Sequence, residues 1–225
     1  MMDCPECSSN IDVNKKSEGI CMKCGSEKTV YSCTNFHSIC ESCLDDVSFE
    51  RIKDICISST SINPYDILRD IFDSDSLRFH DYKHHVAVGC ALIAAHRNSG
   101  FEIDISPLID EMIKRGRKIP PGSCGLMGNC GAAVSVGTFY SIMTGTTPYS
   151  EKTWSDANLA TAQSLIEMAI IGGPRCCKRN SMVALRVGSR IAIEKLGSQI
   201  VLSEMKCTDH DRNKECIKER CPFYS

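Results

Sequence analysis

Residues 86–95 read VAVGCALIAA, a run with no charged side chain and with apolar groups on every side of a helix. A surface helix carries a one-sided apolar stripe, whereas one that is apolar all round belongs in the middle of a domain. The run lies within a helix expected over Asp81–Asn98 and closed by Gly100. Working outward, Asn63 and Pro64 form an N-cap and first-turn proline for a helix to Arg78, with Ile67, Leu68, Ile71, Phe72 and Phe79 as its apolar set. Ser106-Pro107 opens another, carrying Leu108, Ile109, Met112 and Ile113 and ending before Pro120-Pro121-Gly122. Gly128–Thr144 is rich in Gly, Ala and Ser, so its backbone can approach neighbours closely. Ser155–Ile171 stops at Gly172-Gly173-Pro174, and Cys177–Leu196 stops at Gly197. Strand signals are confined to Lys28–Ser32 and Gln199–Leu202. The pattern predicts a mainly α protein: a helical-bundle core of about five or six helices, a small N-terminal zinc-binding module and a Cys-rich C-terminal tail.

Cysteine usage divides the rest of the chain. There are 16 cysteines in 225 residues, too long and too normally hydrophobic a chain to need a disulfide scaffold. It opens MMDCPEC, without an apolar leader, and holds no run approaching ~18 apolar residues. A cytoplasmic, reduced chain off the membrane is the expectation, with thiols used for metal or catalysis. The net charge of −2 supplies no field for nucleic acid or anionic lipid. The expected divisions are a zinc module over 1–45, a linking segment with room for a short helix over 46–63, a helical core over 64–203 and a metal-binding tail over 204–225.

In the first division Cys4-x2-Cys7, Cys21-x2-Cys24, Cys33-x3-His37 and Cys40-x2-Cys43 provide four ligand pairs, enough for two tetrahedral zinc ions. Spacing alone leaves open whether neighbouring or alternate pairs share an ion. Cys33, His37 and Cys40 also have the spacing of a radical-SAM triplet, but histidine at its middle position argues against one. With little apolar surface here, zinc is expected to hold the segment folded and to present it to a protein partner.

In the core, Pro120–Ala133 (PPGSCGLMGNCGAA) places Cys124 and Cys130 in a glycine-rich loop before a helix. Gly172–Arg179 (GGPRCCKR) repeats the construction with Cys176 and Cys177. From Arg175 to Lys195 there are six basic residues, Arg175, Lys178 and Arg179 among them, against one acid. Helix N-termini and nearby cations favour thiolates and anionic centres. A [4Fe-4S] cluster on Cys124, Cys130 and one of Cys176 or Cys177 follows, with the spare thiol, Cys177 in the leading assignment, as nucleophile or sulfur carrier. Arg175, Lys178 and Arg179 would hold a small anionic substrate or the charge of the cluster. His80, His84 and His85 open the buried helix, where an imidazole is disfavoured as a cation, so His84 or His85 suits a general base. Cys90 reads as core and His96 as surface. In the tail, Cys207, His210, Cys216 and Cys221 fit a second cluster or a zinc ion.

The segments His80–His85 (HDYKHH), Cys124–Ala133 (CGLMGNCGAA) and Gly172–Arg179 together resemble an uncharacterised cysteine-rich domain family of methanogenic archaea and anaerobic bacteria. Members are sometimes fused to SAM-dependent methyltransferases. The resemblance spans roughly residues 64–222 and leaves the N-terminal ligands outside it. It implies an anaerobic setting, where oxygen-labile clusters persist, and transfers no activity. No strand followed by a Gly-rich turn and helix is present, so no Rossmann-type SAM unit is expected. The leading functional expectation is an iron–sulfur enzyme or a sulfur-handling or redox protein of anaerobic metabolism. A zinc-binding adaptor or a redox- or metal-sensing protein is the alternative. A third is an accessory of corrinoid- or SAM-linked methyl transfer.

Overall fold

The computed structural model describes residues 2–74 and 76–225. The chain begins with two small antiparallel sheets. In the first, β1 (Met2–Asp3) pairs with β2 (Asn10–Ile11). In the second, β3 (Ser17–Ile20), β4 (Glu27–Ser32) and β5 (Ser38–Cys40) lie in sequence order. The Lys28–Ser32 signal is thus the body of β4. Their interior is small: Ile11, Val30, Tyr31, Ile39 and Leu44 packed among cysteines.

Helix α1 (Glu41–Ser58) grows directly out of β5 and occupies most of the stretch expected to link two units. Its buried positions Leu44, Ser48, Phe49, Ile52 and Cys56 follow helical spacing, and Phe49, Ile52 and Cys56 join the main core. Helix α2 (Pro64–Asp73) is capped as its sequence dictates, with Asn63 Oδ1 accepting the Tyr65 amide at 3.1 Å. It is shorter than the expected span to Arg78, within which Asp75 lies outside the described residues.

Helix α3 (His84–Asn98) is the axis of the fold: every residue from His84 to His96 is buried. Around it pack α1, α2, α4 (Ile105–Gly116), α6 (Gly131–Met143) and α8 (Cys177–Leu196). Helix α7 (Lys152–Ile171) covers α6 and α8. The close approach expected of the Gly/Ala/Ser-rich helix is realised at Gly137, where a Cβ would stand 2.6 Å from the Ala157 carbonyl of α7. With the single turn α5 (Ser123–Leu126), eight α-helices lie among the described residues, more than the five or six expected. The two additions are α1, whose narrow apolar face is masked by charged residues, and α5, too short to show a period. Gln199–Leu202 forms no strand, because its backbone finds no partner strand. The tail folds back in turns, its Cys207 amide bonded to the Phe223 carbonyl at 2.7 Å and Phe223 buried in the main core.

Candidate metal and thiol sites

The eight N-terminal ligands sort crosswise. Cys4, Cys7, Cys33 and His37 form one group and Cys21, Cys24, Cys40 and Cys43 the other, with the ligand atoms of each group within 4.8 Å of one another. Alternate pairs therefore converge, and the Cys33–His37–Cys40 triplet is divided between the two groups. Within them Cys7 Sγ lies 3.8 Å from Cys33 Sγ, Cys24 Sγ 3.9 Å from Cys40 Sγ, and His37 Nδ1 3.3 Å from Cys7 Sγ. Metal–sulfur bonds near 2.3 Å in a tetrahedron set sulfurs about 3.8 Å apart, so each group could hold one metal ion such as zinc. The knuckles are closed by tight turns, Ser8 N to Cys4 O and Gly25 N to Cys21 O, both 2.8 Å. Amides also point at the sulfurs, His37 N at Cys33 and Cys40 N at Cys21, both 3.3 Å.

The vicinal pair Cys176–Cys177 serves two different places. Cys176 is the N-cap of α8, with extended backbone (φ −142°, ψ 108°), and its sulfur accepts the Arg179 amide at 3.5 Å. It is buried and lines a small, partly open pocket together with Cys207, Cys216 and Cys221. Cys177 is the first helical residue and leaves the backbone in another direction. The Asp81 amide points at its sulfur, and Cys130 and Cys124 are its neighbouring thiols. One turn along α8, Asn180 Nδ2 donates to Cys130 Sγ at 3.4 Å. Cys124 and Cys130 line an open cleft of about 770 Å3 between the glycine loop and the Gly172–Arg175 turn. Helices α6 and α8 both begin at this thiol group, with Cys130 as the N-cap of α6.

Three expectations change here. Of the two alternatives, Cys176, the leading one, lines the tail pocket and not the cleft of Cys124 and Cys130, whereas Cys177 has those two thiols as neighbours. The tail cysteines do not close a site with His210 alone, because Cys176 shares their cavity. His210 also lines that cavity, but its Nδ1 faces the Asp211 carboxylate at 3.0 Å and its ring meets Tyr224 edge-on. The lowered thiol pKa values expected at the start of α8 are not found either. Burial pushes Cys177 up to about 12 and raises Cys176, outweighing the amides and cations beside them. Such thiols ionise on binding a metal, which supplies the missing positive charge.

Of the three cations expected to hold an anion, two are occupied. Lys178 Nζ, buried, pairs with Asp209 of the tail at 2.6 Å and sits over the rings of Phe72 and Phe79. Arg179 Nη2 donates to the Gly172 and Pro174 carbonyls at 2.9 and 2.8 Å, clamping the turn before α8. Arg175 is exposed, lines the cleft and makes no ion pair among the described residues.

The histidines stand behind the cleft, and neither His84 nor His85 lines it. His84 Nδ1 meets Ser181 Oγ at 3.1 Å, and burial pulls its pKa down to about 4. The His85 ring lies against the backbone of Gly131, where a Cβ would come within 2.2 Å of it. Its Nδ1 is buried without a partner, and burial lowers its pKa. His80 precedes α3 and so shares no helical face with His84; its Nε2 pairs with Glu215 of the tail at 3.1 Å. His96, expected at the surface, is buried, bonded to Ser198 Oγ and stacked on Phe101. Cys90 is core. Asn180, Asp81, Asp209 and Ser123, whose hydroxyl is buried without a partner beside Cys124, carry no motif of their own. Helical spacing from Cys177 was the available signal for Asn180.

No curated protein and no solved structure matches the sequence significantly. A family model matches residues 52–224, from the second half of α1 through the tail, and so takes in both thiol groups of the core and none of the eight N-terminal ligands. The chain therefore belongs to the family of unknown function DUF5714.

Proposed function

We propose that this chain is an iron–sulfur enzyme or sulfur-handling protein whose working site is the cleft lined by Cys124 and Cys130, with Cys177 at its edge. The observation that carries the reading is the meeting of three thiols from two chain segments at the starts of α6 and α8, beside a cleft open to solvent. Three protein thiolates leave one iron of a [4Fe-4S] cluster without a protein ligand. That iron would offer a Lewis-acid position to a small anionic or sulfur-containing substrate, and Arg175, exposed at the cleft, would supply a cation to it. Asn180 tunes the charge on the Cys130 sulfur through its hydrogen bond. His85, beneath Gly131, positions the loop that carries Cys130 and is not the base. Such a centre is oxygen-labile and suits a reducing, anaerobic cytoplasm. Zinc fills the two N-terminal groups.

The test is anaerobic purification with iron, sulfide and zinc analysis, followed by electron paramagnetic resonance of the reduced protein titrated with cyanide. Cyanide should perturb one cluster signal, and that signal should vanish in Cys124→Ala and Cys177→Ala. No iron in the protein, or a signal indifferent to both substitutions, overturns the reading. A non-enzymatic adaptor is favoured by one observation: Phe36, between the ligands Cys33 and His37, is 89% exposed, as an apolar contact for a protein partner would be. In that case partner binding would survive Cys124→Ala and fail in Phe36→Asp.

A further inference from the structure

Four thiols line a small, partly open pocket of about 20 Å3 between α8 and the tail, and none of them lines the cleft. We infer that Cys176, Cys207, Cys216 and Cys221 together bind a second centre, a metal–sulfur cluster of cubane type with four protein thiolates. This inference does not depend on the reading of the cleft.

Convergence comes first. Cys176 sits at the start of α8, Cys207 thirty-one residues later, and Cys216 and Cys221 in successive turns of the tail, yet all four line one cavity. Its other walls are Phe79, Met182, Ile217 and Tyr224 on one hand and Arg179, Asp209, His210 and Asn213 on the other. Amides are directed at the sulfurs: Arg179 N at Cys176 (3.5 Å), Lys218 N at Cys216 (3.4 Å), and the Asp209 amide at Cys207. Amide-to-sulfur bonds of this kind stabilise and tune cluster thiolates.

The spacing selects a cluster over a single ion. Among the described residues, only the two N-terminal groups bring three or more ligand atoms within 4.8 Å of one another. In the tail cavity no three of the four sulfurs stand that close together, so they do not form the tight tetrahedral group found at the N-terminus. A cubane places iron and sulfide between the protein sulfurs and requires a wider spread. Charge does not oppose it: Arg179 lines this cavity as well as the cleft, and Asp209, the acid in the wall, is neutralised by Lys178. The tail itself is a series of turns with 3-10 segments at His210–Arg212 and Lys218–Arg220, the kind of segment that metal binding orders. His210 is left outside the ligand set.

The test uses the full chain with the cleft thiols removed, Cys124→Ala/Cys130→Ala/Cys177→Ala, purified anaerobically. About four irons and four sulfides per chain should remain. They should be lost when Cys176→Ala or Cys216→Ala is added and retained when His210→Ala is added. A zinc ion in place of the iron, no iron at all, or iron that depends on His210 and not on Cys176 overturns the inference. If the multiple variant fails to fold, Cys216→Ser in the otherwise unaltered chain decides. A serine oxygen in place of sulfur should shift the Mössbauer parameters of one iron site, and an unchanged spectrum is the overturning result. Equal iron in the parent and in the triple variant would remove the cleft cluster and leave this one standing.

Discussion

Lys83 Nζ lies 2.7 Å from Asp45 Oδ1 in the interior of the protein, joining the helix that leaves the N-terminal sheet to the turn that leads into α3. The same ammonium meets Asp81 Oδ2 at 2.8 Å, and Tyr82 donates its hydroxyl to Asp45 Oδ2 at 2.6 Å. Burial works against the ionised Asp81, but Lys83 and two amides hold its carboxyl below the usual range. Lys83→Met would leave two buried carboxylates without their cation. A loss of about 3–5 kcal/mol is expected, the range found when one partner of a buried pair is removed. The urea midpoint of the metal-loaded protein measures it, and Asp45→Asn should cost less.

Acid should destabilise the protein through His84. The unfolded chain takes up a proton there near pH 6.5, the folded chain only near 4, because burial disfavours the imidazolium. Lys178 and His85 act in the same direction and Asp81 against it. Between those values the unfolded state binds more protons, so stability is full above about pH 6.5 and falls as the pH drops toward 4, by up to about 3 kcal/mol. Urea midpoints across this window should show the slope, and His84→Gln should flatten it.

Gly131 has no room for a side chain, since a Cβ there would come within 2.2 Å of the His85 ring. Gly131→Ala is expected to cost about 1–3 kcal/mol by overpacking. Adding His85→Ala should recover much of that loss, giving a coupling of about 0.5–3 kcal/mol in the four-member cycle. Additive losses would mean that the two positions do not touch.

The crossed N-terminal groups predict independent ions. Cys33→Ala should release one metal ion and leave the other, as read by a colorimetric assay on the unfolded protein. Hydrogen exchange should rise in β1 and β2 while α3 stays protected.

Six of the eight helices could be read from the sequence because each carries an apolar period and a stop signal. α2 begins at the Asn63-Pro64 pair and α8 ends at Gly197, whose φ of 71° favours a residue without Cβ. α1 was obscured because its buried set includes Ser48 and the ion-paired Asp45, polar residues that a hydrophobic reading discards. The ligand pairs at the N-terminus were visible as local spacings, but which pairs meet depends on how β3–β5 fold over β1 and β2. At Cys176–Cys177 composition is silent: two identical side chains are separated by the change from extended to helical backbone between one residue and the next. His96 shows the opposite failure, a polar residue next to Arg97 that nevertheless finds Ser198 and Phe101 in the interior.

Cys40 ends β5 and Cys43 lies in the first turn of α1, so a single ion held by their group would grip the junction of strand and helix. The other end of α1 is lodged in the bundle at Ile52 and Cys56, about 27 Å of helix in all. The N-terminal appendage is therefore a lever anchored at both ends. Torque applied to it by a bound protein would be delivered against α3, the helix that seats His85 under Gly131.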